Sequence, residues 1–528
     1  MDNNNTYNQP PMGPVMPPQM PMPLQQPMTK WQRMASSVIG IKNAFPKWLS
    51  QYSIVVYILA LLVVSFMYSA YSLPWYYLLS GVVAVLVFFL FGSTVADKTS
   101  VIKIHKQKLF EKRIFLIAFL PRVIWMFLIY SINMQSYGDA FGFEAGDALY
   151  YDELGQFVSE LSGQGNFHFV NEIPKWNGGR DDISDMGYGI YMGLVYRLTG
   201  NNIVIFRLLK CLLSSMTVVL MYRLAKRQYG EQIGRFTAIF CALWPNFWYY
   251  CGAHLKETEM VFMAVLFVEQ ADQMLRSRQF TAWKVIPILL IGAAIFTFRM
   301  PLALVVFMSL IFSVVMTSSR VVNWGKRIIV GGLAVALIGL TAGNRLSEEA
   351  KGLVDSVQSD QQQTNMEWRA NRKDANGNTQ RFAKYAGKSV FAPLIFTIPF
   401  PSMVEPFGGD NAQNVQELLN GGNFIKNIIS GFTIFAMLML LLSGRWREHL
   451  LPIAVMIGYA VVLAFSNFAQ SERFHQPIMP FEMMFAAYGL SIAVTKRKYK
   501  RWFIYWCGLM FVAAIVWNWF KLAGRGLA

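Results

Sequence analysis

The stretch Gly146–Phe157, GDALYYDELGQF, sets three carboxylates, Asp147, Asp152 and Glu153, in a chain that is otherwise apolar. A carboxylate serves as a general base when it is held within hydrogen-bond reach of the proton it removes. Asp152 and Glu153 follow Asp147 by five and six residues, so neither shares its helical face. Leu154, Phe157, Val158 and Leu161 recur at helical spacing. That pattern predicts an amphipathic helix at a membrane interface, with Asp147 at its start. The plain structural alternative makes Asp147 the N-cap of this helix. On either reading Asp152 and Glu153 are expected to face water.

Three further stretches carry candidate chemistry. In NGGRDDISDMGYGIYMGLV, Asp181, Asp182 and Asp185 precede an apolar run. Their oxygens suit a divalent cation, although the spacing matches no established calcium loop, and a solvated loop is the alternative. CGAHLKETEM places His254, Lys256, Glu257 and Glu259 at the end of an apolar run; His254 and Glu257 are three apart and share a face, a spacing that also fits an ordinary polar helix start. AQSERFHQPIMPFEMMFAAYGL places Glu472, Arg473 and His475 where another run begins. Arginine holds phosphate bidentately, so Arg473 and His475 suit an anionic headgroup. Glu482 lies about two turns inside that run, and charges at such depth face a cavity or a partner. Arg122, midway along the run 114–135, is the partner expected for it.

The elements that must position these residues are membrane helices. The 528 residues are 54% hydrophobic and 15% charged, where a soluble chain carries about a quarter charged residues. Apolar runs near the length of a bilayer crossing recur along almost the whole sequence. The expected fold is all-α: a polytopic integral membrane protein of about 12–14 transmembrane helices, not a β-barrel of short alternating strands. Runs fall near 51–73, 74–96, 114–135, 186–199, 203–224, 234–250, 255–274, 282–298, 301–319, 327–343, 427–443, 450–469, 476–495 and 502–522. The run 186–199 is short, and is either a span or half of a bent one.

The net charge of +17 sits in short clusters between these runs, which sets topology and argues against a nucleic-acid partner. Basic clusters at 98–113 and 222–235, with RSR, GKR, GRWR and KRKYKR, mark the cytoplasmic side. Residues 136–185 and 344–426 then fall on the opposite side, and the first of these loops holds ten acidic residues against Lys175 and Arg180. The N-terminus is expected to be cytoplasmic. No cleavable signal peptide is read there, and the four cysteines have no metal-site spacing. The organisation reads as a Pro/Met-rich tail and surface helix (1–50), two N-terminal spans and a basic loop (51–112), a membrane core (113–343), a second loop (344–426) and C-terminal helices (427–528). The later part of the second loop, VFAPLIFTIPFPSMVEPFGG, is apolar but broken by prolines and is expected to lie on or re-enter the membrane surface.

As a set, these stretches resemble the polyprenyl-phosphate-sugar-dependent glycosyltransferases of the GT-C superfamily. GDALYYDELGQFV resembles their first outer loop, a small residue–Asp–x–x–x–Tyr–x–x–Leu–Ala pattern, with Gly155 in place of the usual Ala. DMGYGIYMGLVYRLTGNNIVIFRLLKCLLSS resembles the next segment, with Gly189 where proline is common. ALWPNFWYYCGAHLKETEMVF and ERFHQPIMPFEMMFAAYGL resemble a Pro-containing span before a Leu-x-x-Glu helix start and a late Arg-Tyr-x-x-Pro-x-x-Pro segment. The likeness covers about residues 113–275 and 470–495, in the family's order. Two extra spans precede it, and an acceptor site on a large soluble C-terminal domain, as in oligosaccharyltransferases, is not expected.

The resemblance implies an enzyme of a bacterial inner membrane with its site on the periplasmic face. It would take a sugar from a polyprenyl-phosphate donor embedded in the bilayer and pass it to a lipid, glycan or protein acceptor. Asp147 matches the family's base or acceptor-orienting residue. Arg473, His475 and Lys256 become candidates for the donor phosphate, and Glu257, Asp181, Asp182 and Asp185 for the acceptor or a metal. A divalent cation (Mg, Mn or Zn) is an implied cofactor, and no nucleotide cofactor is expected. The rivals are a polymerase or ligase of lipid-linked polysaccharide, using Arg369, Arg372 and Arg381 of the second loop, and a transporter or flippase, which predicts an internal repeat that the sequence does not show.

Overall fold

The computed structural model describes residues 75–100, 106–142, 145–177, 186–277, 282–317, 422–465, 472–495 and 501–509, with isolated positions between 55 and 66 and at 102, 512 and 516. The expected tail, the runs 51–73 (save isolated positions) and 327–343, nearly all of the second loop, and Asp181, Asp182 and Asp185 lie outside the described residues. Among the described residues every regular element is helical: α1 (Trp75–Ser100), α2 (Gln107–Tyr137), α3 (Ala145–Gly163), α4 (Phe169–Trp176), α5 (Met186–Thr199), α6 (Ile203–Tyr229), α7 (Glu231–Leu243), α8 (Pro245–Gly252), α9 (Glu257–Arg276), α10 (Val285–Phe298), α11 (Met300–Met316), α12 (Gly422–Leu442), α13 (Leu450–Phe465), α14 (Glu472–His475) and α15 (Met479–Thr495). By length and composition α2, α6 and the Val83–Ser100 part of α1 can each cross a bilayer alone; α10, α11 and most of α12 and α13 are apolar but shorter. The all-α membrane architecture expected from the sequence is the one the structure has.

Helix ends meet in two groups: a loop face, where Asp147, Glu257 and Arg473 join, and a basic face, where Arg223 and Arg227 join Glu111, Glu269 and Asp272. α2 shows how the sequence divides a helix between core and lipid. Ile114, Ala118, Arg122 and Met126 are buried at a spacing of four, while Leu116, Leu120, Ile124 and Leu128 are exposed on the other side. The buried stripe therefore includes a charge. Arg122 does not pair with Glu482, as the sequence suggested. Its Nε donates to Ser214 Oγ at 2.8 Å, Nη1 to the carbonyls of Ala118 (2.7 Å) and Ala242 (3.0 Å), and Nη2 to that of Cys241 (3.0 Å). The reason is Pro245, which opens α8 and breaks the path from α7. Proline has no N–H, so the Cys241 carbonyl loses its helical donor. The guanidinium fills that gap at the negative end of α7. Glu482 instead faces α12, where Ser430 Oγ donates to it at 3.3 Å.

α5 corrects a second expectation. Its 14 residues extend only about 21 Å at the helical rise, short of a hydrocarbon core of about 30 Å. Its first turn touches Thr297 and Phe298 at the loop-face end of α10. Only three residues separate its end from α6, whose Arg207 and Lys210 donate to the carbonyls of Ala140 and Leu255 in loop-face turns. Both ends of α5 thus lie on the loop face, and the helix runs along the rim. Its apolar character is spent on α3, which runs parallel to it: Gly155 meets Met192, Gly189 meets Leu154 and Gly193 meets Val158.

On the basic face, cations that set topology also join helices. Arg223 reaches Glu111 at 2.8 Å, Arg227 pairs with Glu269 and Asp272, and Arg235 donates to the carbonyls of Thr99 (3.1 Å) and Ile102 (2.8 Å). These contacts tie α1, α2, α6, α7 and α9 at one level.

The α3–α5 seam yields a test. A Cβ on Gly193 would stand 2.5 Å from Val158 and 2.8 Å from the Gly155 carbonyl oxygen, so the backbones must part. Gly193→Val is expected to destabilise by about 1–3 kcal/mol, read as a lower melting temperature in detergent. Gly146→Ala, with nothing within 4 Å of its Cβ, leaves that temperature unchanged or raises it.

Candidate active site

Three of the motif stretches meet on the loop face. The connection from α2 to α3 is set first: Gly138 ends α2 in the left-handed conformation (φ 75°), and Asp139 Oδ1 accepts from the N–H groups of Phe141 (2.7 Å) and Gly142 (2.9 Å). This turn delivers Asp147 in the first turn of α3, where a carboxylate suits the positive end of the helix dipole. Glu257 stands at the first turn of α9 and Arg473 in α14. Arg473 joins them, its Nη1 donating to Asp147 Oδ2 at 2.5 Å and its Nε to Glu257 Oε1. The Asp147 side chain remains 62% exposed, whereas that of Glu257 is 1% exposed. Burial alone would lower the proton affinity of the Arg473 guanidinium; the Glu257 and Asp147 carboxylates outweigh it and hold it above the usual arginine range.

Around this bridge lie further cations. Arg299, in the turn between α10 and α11, sits 4.2 Å from the centre of the Phe474 ring, and Arg473 sits 5.6 Å from the same ring. Lys256 donates to the Phe298 carbonyl at 3.1 Å and lies 5.7 Å from the centre of the Tyr151 ring. His475 is buried and meets Lys426 through Nδ1 at 2.9 Å, on the side of α12. Lys210 is wholly buried, paired with Glu259 at 3.1 Å and bonded to the Leu255 carbonyl. Beneath the bridge a small cavity is lined by Ser214, Tyr250, Glu257, Thr258 and Gln476, with room for about one water molecule.

Sequence reasoning missed the second cluster of the site. Asp152, expected to be solvated, is buried. It accepts from the Tyr196 hydroxyl through Oδ1 and from Gln156 Nε2 through Oδ2 at 2.7 Å. His254 Nε2 stands 3.1 Å from the Tyr196 oxygen and 3.3 Å from Asp152 Oδ1. The buried stripe of α3 is Ala148, Tyr151, Asp152, Gly155, Ser159 and Ser162, together with Leu154 and Val158. Small and polar residues dominate it, so a search for large apolar residues finds only its edge. Glu153 is exposed, as expected. Arg207 and Lys210, two charges three apart inside an apolar run, were a legible signal.

A metal is tested by what surrounds the carboxylates. Among the described residues no three His, Cys, Asp or Glu side chains gather as a metal site. Between Asp147 and Glu257 stands the Arg473 guanidinium, a cation already bonded to both. The described residues therefore offer no fitted metal centre, and no chemical step below passes through one.

The class of protein follows from this geometry and one comparison. A part-buried arginine shared by two carboxylates on the loop face of an all-α bundle is a site for polar, anionic chemistry. Residues 187–342 match the family described as dolichyl-phosphate-mannose-protein mannosyltransferase. That family belongs to the GT-C superfamily of membrane glycosyltransferases dependent on polyprenyl-phosphate sugars, which agrees with the resemblance read from the sequence and bears on the second and third of the four motifs. The matched segment holds His254, Lys256 and Glu257 but neither Asp147 nor Arg473. No curated protein and no solved structure matches the chain.

Burial holds the His254 imidazole down at about 4; Asp152 opposes that shift, and the Arg207 and Lys210 cations add to it. Burial would raise the Asp152 carboxyl, but the bonds from His254, Tyr196 and Gln156 keep it below the usual range. Both groups bind fewer protons folded than unfolded, so each stabilises at neutral pH and less as pH falls. For His254 the loss begins near the unfolded value of about 6.5 and is complete near 4. Melting temperature is therefore expected to fall between pH 6.5 and 4 in the wild type, and to fall less in His254→Gln.

Proposed function

We propose that the chain is an integral membrane glycosyltransferase that moves a hexosyl or pentosyl group from a polyprenyl-phosphate donor to a hydroxyl of an extracytoplasmic lipid, glycan or protein acceptor. The membrane is a bacterial inner membrane, with the loop face periplasmic and the N-terminus cytoplasmic. The observation that carries this reading is the convergence of Asp147, Glu257 and Arg473 from three distant motif stretches into one hydrogen-bonded bridge.

In this mechanism Asp147 accepts the proton of the acceptor hydroxyl. The acceptor oxygen forms a bond to the anomeric carbon while the bond from that carbon to the donor phosphate oxygen breaks. The electron pair leaves with the polyprenyl phosphate, whose growing charge meets Arg473. In the resting protein Arg473 is neutralised by two carboxylates. A donor phosphate takes the place of the exposed one, which frees Asp147 to face the acceptor, while buried Glu257 keeps the guanidinium aimed. Lys256 and His475 stand behind Arg473 as further cationic candidates, and Glu257 with Asp181, Asp182 and Asp185 as acceptor or metal candidates.

The test uses the full chain in lipid nanodiscs with a synthetic polyprenyl-phosphate sugar series and a panel of acceptors. Asp147→Asn is expected to lower turnover by about 10²–10⁴. Arg473→Ala is expected to lower it by roughly 10²–10³, with both variants inserted in normal amount. Wild-type turnover in Asp147→Asn sinks the base assignment.

A further inference from the structure

Asp152, Tyr196 and His254 come from three separate segments, α3, α5 and the turn before α9, and all three are buried. Their polarity is directional. The Tyr196 proton goes to Asp152 Oδ1, so the Tyr196 oxygen is left to accept. His254 Nε2 stands 3.1 Å from it, 3.3 Å from Asp152 Oδ1 and 3.2 Å from Met192 Sδ, while His254 Nδ1 has no hydrogen-bond partner among the described residues. All three face Nε2 as acceptors, so the geometry assigns the proton of a neutral imidazole to Nε2, which joins His254 to both Tyr196 and Asp152.

This chain ties together the two backbone segments that carry the bridged carboxylates. Asp152 lies five residues beyond Asp147 on one helix, and His254 three residues before Glu257. Much of the rest of the α3–α5 contact is a seam of glycines against Leu154, Val158 and Met192, beside an edge-to-face pair of Tyr151 and Tyr188. Such a seam fixes how close two helices come, because backbone meets side chain directly. The glycine contacts resist sliding along the helix axis only weakly, since they include no hydrogen bond. Tyr196 and Asp152 supply that bond within the seam, and His254 extends it to the start of α9.

We propose that Asp152, Tyr196 and His254 are positioning residues that set where Asp147 stands relative to Glu257 and Arg473. The proposal rests on Asp147 being the base. A displacement of about 1 Å at a reacting group costs roughly a hundredfold in rate, so a network this far from the acceptor still governs turnover.

The experiment uses the full chain in nanodiscs with Tyr196→Phe, His254→Gln and His254→Ala. Two readouts are taken: steady-state kinetics with the polyprenyl-phosphate sugar, and hydrogen–deuterium exchange. Tyr196→Phe removes one hydroxyl and keeps the ring; His254→Gln keeps an N–H near the position of Nε2. Expected are a kcat lowered about ten- to a hundredfold with the donor KM within about twofold, and exchange of residues 145–163 raised about tenfold. Exchange in the basic-face turn 223–235 stays unchanged, and His254→Gln recovers part of what His254→Ala loses. Unchanged exchange over 145–163 in both Tyr196→Phe and His254→Ala overturns the proposal. So does loosened exchange with wild-type kcat. Wild-type turnover in Asp147→Asn sinks the base reading and with it the catalytic half of the proposal. The exchange result separates that failure from a failure of the network itself.

Discussion

A charge inside a low-dielectric helical bundle persists only where an opposite charge or a set of backbone carbonyls meets it. Much of this structure follows from that demand. Arg122 is held by three carbonyls and a serine, Lys210 by Glu259 and a carbonyl, and Arg235 by Glu231 and two carbonyls; Arg207 is met less fully, by the Ala140 carbonyl and the face of Tyr130, with Nε and Nη1 left without partners among the described residues. In each case the cation reaches a place where helix geometry leaves a carbonyl in need of a donor, at a helix end, a turn or a proline break. The charges are thus part of how the helices stop and start within the bundle.

The same rule gives the loop face its character. Arg473 is shared by an exposed carboxylate and a buried one, so its two bonds differ in what can displace them. Asp147 is open to solvent, whereas Glu257 is buried at the first turn of α9. A cation held from below and exchangeable from above suits an anion that must bind and later leave. The Phe474 ring is within cation–π reach of both Arg473 and Arg299, an attraction that leaves their charge in place.

Behind the site, a seam of small residues and a directional hydrogen-bonded chain divide the work of holding α3. The glycines let α5 approach, and the polar chain sets the register. This division explains why the opening motif carries two aspartates with opposite fates. Asp147 begins the helix and looks outward, and Asp152, a turn and a half later, looks into the bundle.

The sequence by itself determined the class of fold, the two faces and the general chemistry. Composition and the period of apolar residues are local properties, and a bilayer imposes helices wherever they hold. It also marked Asp147, Glu257 and Arg473 as residues of interest, each from its own stretch. Only the tertiary structure decided that these three meet, that α5 lies along the rim and that Arg122 answers a proline instead of Glu482. Apolar length alone does not separate a helix facing lipid from one facing another helix, because both environments exclude water. Likewise a carboxylate on a stripe of small residues reads as solvated until the partner helix is in place. Asp152 took its meaning from Tyr196 and His254, 44 and 102 residues away along the chain, a separation over which no local pattern carries information.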